Sequence, residues 1–527
     1  MGGRLRNDGI VTGACAAAVL VAAGAWAAAC QDTGASGSTG TAGAGTTGTT
    51  GTTSSGGPDA GTGGGSAASS FTPQGCGFSI APRPEYTDWG PAKDTTAATP
   101  NIRRVRLGLG GNVKPGAAGH ADPSTSSGFA WQTDDGTFAS DVEWGTDPDP
   151  TTWPAGNRAS GITWLTPPGT INANGAERMH EAYVCGLTPA TTYYYRVGGG
   201  PSGGEVWSDV YSFTTTPKAG PATVKLVVTG DSRGEGGNAW QIVEQRLLAL
   251  GPTMQLFSGD MINFSPDQGE WEEWLDKAWK DTNGSYSALG RLLTLAAHGN
   301  HDNHTALFYG NLTLPQDVAN FPKYGELFYS VDVGPVHIVT VDDFWVATPS
   351  GDQAYQGVLG AWLEADLTAA EANRANVPWI VTMHHEPEYS SSSHGNDPDV
   401  LLVRNFFAPI WDKHHVDLAL AGHDHDYERS YPLNAPADPS TDPPIVYQDP
   451  SMASQGTVYM VCAGSGADAY HSSTNIWTAT SHDFTDGSAL GFYSVITATA
   501  TSMSVTATAF TASGMDMPID TYTVAKK

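Results

Sequence analysis

The sequence predicts an all-β sandwich followed by an α/β domain, and three features of the chain predict it. Short aromatic and apolar runs broken by Gly, Pro, Asp and Asn fill residues 101–216, the pattern of many short strands joined by tight turns. Beyond Pro217, continuous apolar runs of strand length alternate with amphipathic stretches, as expected of strands covered on both faces. Five of those runs end in Asp, Asn or His, most of them beside a glycine. The expected organisation is a leader over 1–29, a Gly/Thr/Ser-rich spacer over 30–70, an N-terminal extension and sandwich over 71–218, and the α/β domain over 219–527.

The chain has 527 residues, and at about 100 to 200 residues per domain that allows two to four folding units. Hydrophobic residues make up 39% and aromatics 10%, enough for a large core. With 54 acidic against 25 basic residues the formal charge is −29. General nucleic-acid binding is thereby excluded, because it depends on Lys and Arg neutralising phosphates. An anionic substrate must instead find local positive charge from metal ions or a few placed Arg, Lys or His side chains.

At the N-terminus Arg4 and Arg6 precede a small, apolar stretch from Ile10 to Ala29 that ends Ala27-Ala28-Ala29-Cys30. This reads as a secretory signal, since no basic stop-transfer cluster follows it. The small residues before Cys30 resemble the lipobox of bacterial lipoproteins, although a lipobox usually has a larger apolar residue where Ala27 stands. A membrane-anchored lipoprotein, periplasmic or at the cell surface, is expected, with plain cleavage after Ala29 and secretion as the alternative. The spacer from Gln31 to Ser70 has too little apolar surface to offset the entropy of ordering. Of five cysteines, Cys15 lies in the leader and lipidation would consume Cys30. Cys76 and Cys185 are the favoured disulfide pair, because they share a domain, with Cys462 a buried free thiol; sequence alone does not fix the pairing.

In the sandwich, runs such as Gly128-Phe-Ala-Trp131 and Asp141-Val-Glu-Trp144 have strand character. His180 to Val197 followed by Trp207 to Thr215 resembles the last strands of a fibronectin type III domain. No cluster of reactive residues stands out there, so the expected role is packing and spacing.

The α/β domain carries the informative pattern. The run Val224–Thr229 leads into Gly230-Asp231-Ser232-Arg233, and Met254–Ser258 leads into Gly259-Asp260-Met261-Ile262-Asn263. Leu292–Ala297 leads into His298-Gly299-Asn300-His301-Asp302, Pro378–Met383 into His384-His385-Glu386-Pro387, and Val416–Ala421 into Gly422-His423-Asp424-His425. One Gly-Asp after a strand is more often a turn or helix cap than a ligand. Five such endings together point to one crevice outside the carboxyl ends of the strands.

The order Gly-Asp, Gly-Asp, Gly-Asn-His-Asp, Val-x-x-His, Gly-His-x-His resembles the metallophosphoesterase superfamily. The run Ala421 to Arg429 with the sandwich ahead of it resembles the purple acid phosphatases in particular. The resemblance implies a double β-sheet sandwich flanked by helices, with a dinuclear metal centre. It implies that Asp231 and His425 hold the first metal, that Asn300, His384 and His423 hold the second, and that Asp260 bridges them. His301 is then the group beside the leaving oxygen, and His394 contacts substrate. Two positions depart from the family. The Tyr whose phenolate holds ferric iron is replaced by Asn263, and Arg233 occupies the place of the His found two residues after the first Asp in many relatives. Asn263 or water is left to complete the first metal. A divalent pair from Mn, Zn, Fe(II) or Mg is expected, in a protein that is not purple. Arg233 is a candidate for binding the substrate phosphate, with a turn-stabilising role as the alternative.

Two metals about 3.5 to 4 Å apart neutralise phosphoryl oxygens and turn a bound water into a hydroxide for in-line attack. His301 is placed to protonate the departing alkoxide, with Asp302 the expected partner of its ring. His298 and His304 are read as supporting residues, Asp342 and Asp343 as orienting a nearby loop, and Gly456 to Val524 as closing strands. The expected activity is hydrolysis of phosphate monoesters by an exported acid phosphatase-like enzyme. A phosphodiesterase or nucleotidase of the same superfamily is the alternative within that chemistry, and a surface adhesion protein with a degenerate metal site is the alternative outside it.

Overall fold

The computed structural model describes residues 70–233, 238–279, 287–348, 350–439 and 442–527. The leader over 1–29, with Cys30 and the spacer up to residue 69, lies outside the described residues.

The aromatic runs of the N-terminal part pair into two antiparallel five-stranded sheets. Ser126–Thr133 lies at the heart of the first, between Arg103–Gly108 and Glu177–Cys185. Thr192–Gly199 organises the second, with Tyr211–Thr214, Asp141–Gly145 and Val206–Trp207 as neighbours. Their facing sides bury Val105, Phe129, Trp131, Val142, Tyr195 and Phe213, and Phe129 packs against Tyr195 with ring centroids 4.6 Å apart. Cys76 is bonded to Cys185, tying the N-terminal extension to the sandwich across 109 residues. A loop of that length constrains the unfolded chain by about 4 to 5 kcal/mol in the chain-entropy account. Cys462 is a buried free thiol.

The sandwich is tied to the α/β domain by hydrogen bonds between polar groups buried where the two meet. Arg106 donates to the carbonyls of Asn311 and Gly310 at 2.7 and 3.0 Å. Gln132 donates to Asn311 at 3.0 Å and Thr313 to Glu181 at 2.9 Å. Removing one partner of such a pair while the other stays buried costs about 1 to 3 kcal/mol.

The α/β domain holds two mixed sheets. One has the parallel strands Thr294–Ala296, Met254–Phe257 and Val224–Thr229, continued by antiparallel Gly491–Ala498, Met503–Phe510 and Asp516–Val524. The other runs Phe328–Val333, Val336–Val341, Trp379–Met383, Leu418–Ala421, Val458–Cys462, Tyr427–Ser430 and Thr478–His482, parallel from the second to the fifth. The central strands are buried along their length, as their unbroken apolar runs require. The tail strand Met503–Phe510 alternates buried and half-buried residues, as a one-sided strand does. Three strand ends of one sheet and two of the other therefore converge on one edge.

Helix Ala239–Leu250 buries Glu244 fully against Gln255, whose amide donates to Oε1 at 2.7 Å while Oε2 has no hydrogen-bond partner among the described residues. Burial pushes this carboxyl up to about 8, whereas it ionises near about 4.3 in the unfolded chain. Its raised folded value makes its contribution to stability complete below the unfolded value and lost as pH rises through the folded one. Glu244→Gln is therefore expected to match the parent in Tm at pH 4.5 and to exceed it by several degrees at pH 8.5. Thermal melts across that range check it, and a gap independent of pH contradicts it.

Candidate metal centre

Glycines and unusual backbone angles bring the five strand ends together. Asp231, Asp260 and His423 have φ of 53°, 58° and 71°, a left-handed conformation that costs a non-glycine residue about 1 to 3 kcal/mol. A Cβ on Gly299 would lie 2.3 Å from the Asp260 amide, and one on Gly422 would lie 2.5 Å from Asp231 Oδ2, so the loops meet only because these residues have no side chain.

Asp260 is fully buried. Its Oδ1 accepts from the His301 amide at 2.9 Å and lies 3.3 Å from His385 Nε2. Burial alone would raise its carboxyl, but His385 first, then His301 and Arg233, hold it far below the usual carboxylate range. Asp231, equally buried, is pushed up by burial; its oxygens accept from the His423 amide at 3.1 and 3.2 Å.

The structure corrects one expected ligand. His384 is turned away from the cluster: its Nδ1 lies 3.1 Å from Asp343 and its Nε2 2.9 Å from Glu388, and its ring stacks on Phe407. The strand Trp379–Met383 delivers His385 instead. Its Nδ1 lies 2.8 Å from the Ser258 carbonyl, so that nitrogen carries a proton and Nε2 points at Asn300 Oδ1, 2.9 Å away, and at Asp260. Asp343 fixes this loop by accepting from the His385 and Glu386 amides at 3.0 and 2.6 Å.

The expected partner of His301 also differs. Asp302 does not touch the imidazole; it accepts from the amides of Asp260, Met261 and Gly299 at 2.9, 3.0 and 3.0 Å. His301 is oriented by Nδ1 against the Asn263 carbonyl, which leaves Nε2 as the nitrogen 4.0 Å from Asp260. His394 sits beside the cluster, its ring centroid 4.9 Å from that of His423 and its Nδ1 2.8 Å from Asp397.

A divalent cation fits one half of the centre. Asp260 Oδ1, Asn300 Oδ1, His385 Nε2 and His423 Nδ1 face one another, with the His423 and Asn300 atoms 3.2 Å apart. Among the described residues, buried Asp260 Oδ2 and His423 Nε2 have no hydrogen-bond partner. Mixed nitrogen and oxygen donors of this kind suit Mn, Fe, Zn and related ions.

The other half is different. Arg233 Nη2 lies 2.9 Å from His425 Nε2 and donates to the Tyr470 hydroxyl at 3.3 Å, and Nη1 donates to Asn263 Oδ1 at 3.3 Å. Its Nε stands 3.2 Å from Asp260 Oδ2, an ion pair too poorly aligned to be a hydrogen bond. Burial, then Arg233, lowers the His425 imidazole to about 3. The expected first-metal groups Asn263 and His425 are thus gathered around a guanidinium, and Asp231 lies 3.5 Å from His425. Tyr470 stacks on His425 at 3.9 Å. It stands in a loop with no motif, so only the folded chain reveals it.

Residues 116–215 match the purple acid phosphatase N-terminal domain, and residues 224–427 match the calcineurin-like phosphoesterases. The chain is a purple acid phosphatase-like metallophosphoesterase. An uncharacterized protein of Mycobacterium tuberculosis is 27% identical over 324 residues, covering 56% of this chain and 59% of the relative. Purple acid phosphatase 21 of Arabidopsis thaliana is 27% identical over 327 residues, covering 59% and 65%. The match thus spans about six-tenths of the length of these curated relatives. A purple acid phosphatase from yellow lupin (Lupinus luteus) seeds shares the fold, with a TM-score of 0.58 and 17% identity over 81% of this chain and 74% of that one. Metallophosphoesterases of this kind are metal proteins, and the chain's His and Asp groups suit that role.

His385→Ala is expected to abolish metal binding at this centre, leaving only any ion held by the separate His298, His304 and Asp342 group. Asp343→Asn, which loosens the loop without removing a ligand, is expected to weaken it about 10- to 100-fold. Titration with Mn or Zn followed by metal analysis reads both, and undiminished binding by His385→Ala would return the ligand role to His384.

Proposed function

We propose that this chain is an exported, metal-dependent phosphatase that hydrolyses small phosphate monoesters. The observation that carries the reading is the convergence of Asp260, Asn300, His385 and His423 beside the fixed charge of Arg233, with His301 and His394 adjoining. A divalent ion held by those four residues would supply Lewis-acid polarisation of a phosphoryl oxygen. The chain's own residues do the rest. Arg233 contributes positive charge within an otherwise acidic protein, which offsets the repulsion a phosphate dianion meets at a net charge of −29. Both Nη2 contacts and one from Nη1 already serve protein acceptors, so its part is mainly electrostatic rather than a bidentate clasp. His301, with Nδ1 fixed on the Asn263 carbonyl, presents Nε2 to give a proton to the departing alkoxide. His394, with Nδ1 fixed on Asp397, keeps its Nε2 free to donate to a phosphoryl oxygen.

The N-terminal leader pattern and Cys30 support export with a lipid tether, the acidic surface speaks against nucleic acid as a partner, and the relatives' names support phosphate esters as substrates. The purified chain, loaded with Mn, Zn or Fe, is expected to cleave an aryl phosphate monoester at least tenfold faster than the matching diester, and chelation is expected to abolish both activities. Preference for the diester would make it a phosphodiesterase at the same centre. Silence on both esters in a well-metallated sample would leave a surface-binding protein.

A further inference from the structure

We infer that the Arg233 guanidinium stands in place of the first of the two metal ions, so that the centre is built from one divalent ion and one fixed organic cation. The inference rests on the metallophosphoesterase reading above and narrows what that reading needs. The resemblance assigned the first ion to Asp231 and His425, with Asn263 or water completing it and Asp260 shared. Arg233 contacts three of those four residues: Asp260 at 3.2 Å, Asn263 at 3.3 Å and His425 at 2.9 Å.

The detail at His425 is decisive. Its Nδ1 lies 2.6 Å from the Asp468 carbonyl and so carries the proton, which makes Nε2 the nitrogen with the free lone pair. That lone pair is the one an ion would need, and Arg233 Nη2 sits on it. Tyr470 closes the arrangement, stacking on the His425 ring and accepting from the same Nη2. A carboxylate oxygen, an amide oxygen, an imidazole nitrogen and a phenol oxygen thus surround one planar group that presents its N–H donors in a fixed fork. Such donors would also suit a metal, so it is the guanidinium seated on the His425 lone pair, with Asn263 neutral where the family resemblance expects an anionic ligand, that carries the inference.

One geometry thus accounts for both departures from the family pattern. The loss of an anionic ligand at Asn263 and the gain of a cation at Arg233 both shift the local charge in the positive direction, which together offsets the divalent ion they replace, and Asp260 keeps a countercharge on either side. In the other half, among the described residues, no Arg or Lys hydrogen-bonds to Asn300, His385 or His423. That half remains open to an ion.

The test is metal content and spin coupling in the full chain. Loaded with Mn(II) and freed of excess, the unaltered protein is expected to show the electron paramagnetic resonance spectrum of uncoupled Mn(II), with one ion lost in His423→Gln and none lost in His425→Gln. Arg233→His, which exchanges the cation for a ligand, is expected to bind one ion more and to show a coupled pair; Arg233→Ser is expected to do the same with weaker affinity. Coupling decides rather than the count alone, because His298, His304 and Asp342 form a separate group able to hold an ion. A coupled pair in the unaltered chain, or no added ion in either Arg233 variant, overturns the inference and leaves the metallophosphoesterase reading standing. Absence of both bound Mn(II) and bound Zn(II) from every form overturns the inference and the metal-dependent activity proposed above.

Discussion

Two carboxylates buried at the ends of neighbouring strands, Asp231 and Asp260, are the charges around which the centre is arranged. An unpaired carboxylate without solvent is among the costliest groups a protein can bury. The surrounding structure supplies cations and donors to meet them: His385 and Arg233 on Asp260, and the His423 amide on Asp231. Those partners come from three different loops, so the carboxylates are satisfied only when both sheets and the loops beyond them are in place. The strained backbone at Asp231, Asp260 and His423 is the price of that convergence.

The sandwich takes part in the same economy of buried polar groups. Arg106, Gln132 and Glu181 reach out of it to residues 310–313, and the segment bearing Asn300, His301 and Asp302 precedes them in the chain by about ten residues. Its packing therefore supports the loop that carries part of the centre, although none of its own side chains contributes a ligand.

Much of the fold was legible because the signals are local. A change from broken aromatic runs to unbroken apolar ones marks the passage from sandwich to α/β domain, and burial along Met254–Phe257, Trp379–Met383 and Leu418–Ala421 follows those runs. Asp260, Asn300, His423 and His425 were legible because each ends such a run. His385 was not, because a strand covered on both faces does not reveal which of two adjacent histidines points into the crevice. Asp302 was assigned to a ring when it holds backbone amides, a distinction that depends on loop conformation. Asn263 and Arg233 were visible as separate anomalies, but the link between them is a contact between residues 30 apart in the chain.

The Asp302 carboxylate, bonded to amides of both the Asp260 loop and the Gly299 turn, acts as a gauge block. It sets the separation of Asp260 from Asn300 by the size of one functional group, before any ion arrives. A centre gauged in this way resists widening or contracting, so that radius and preferred bond length would enter the fit of any ion alongside intrinsic affinity, through a residue that here holds only backbone amides.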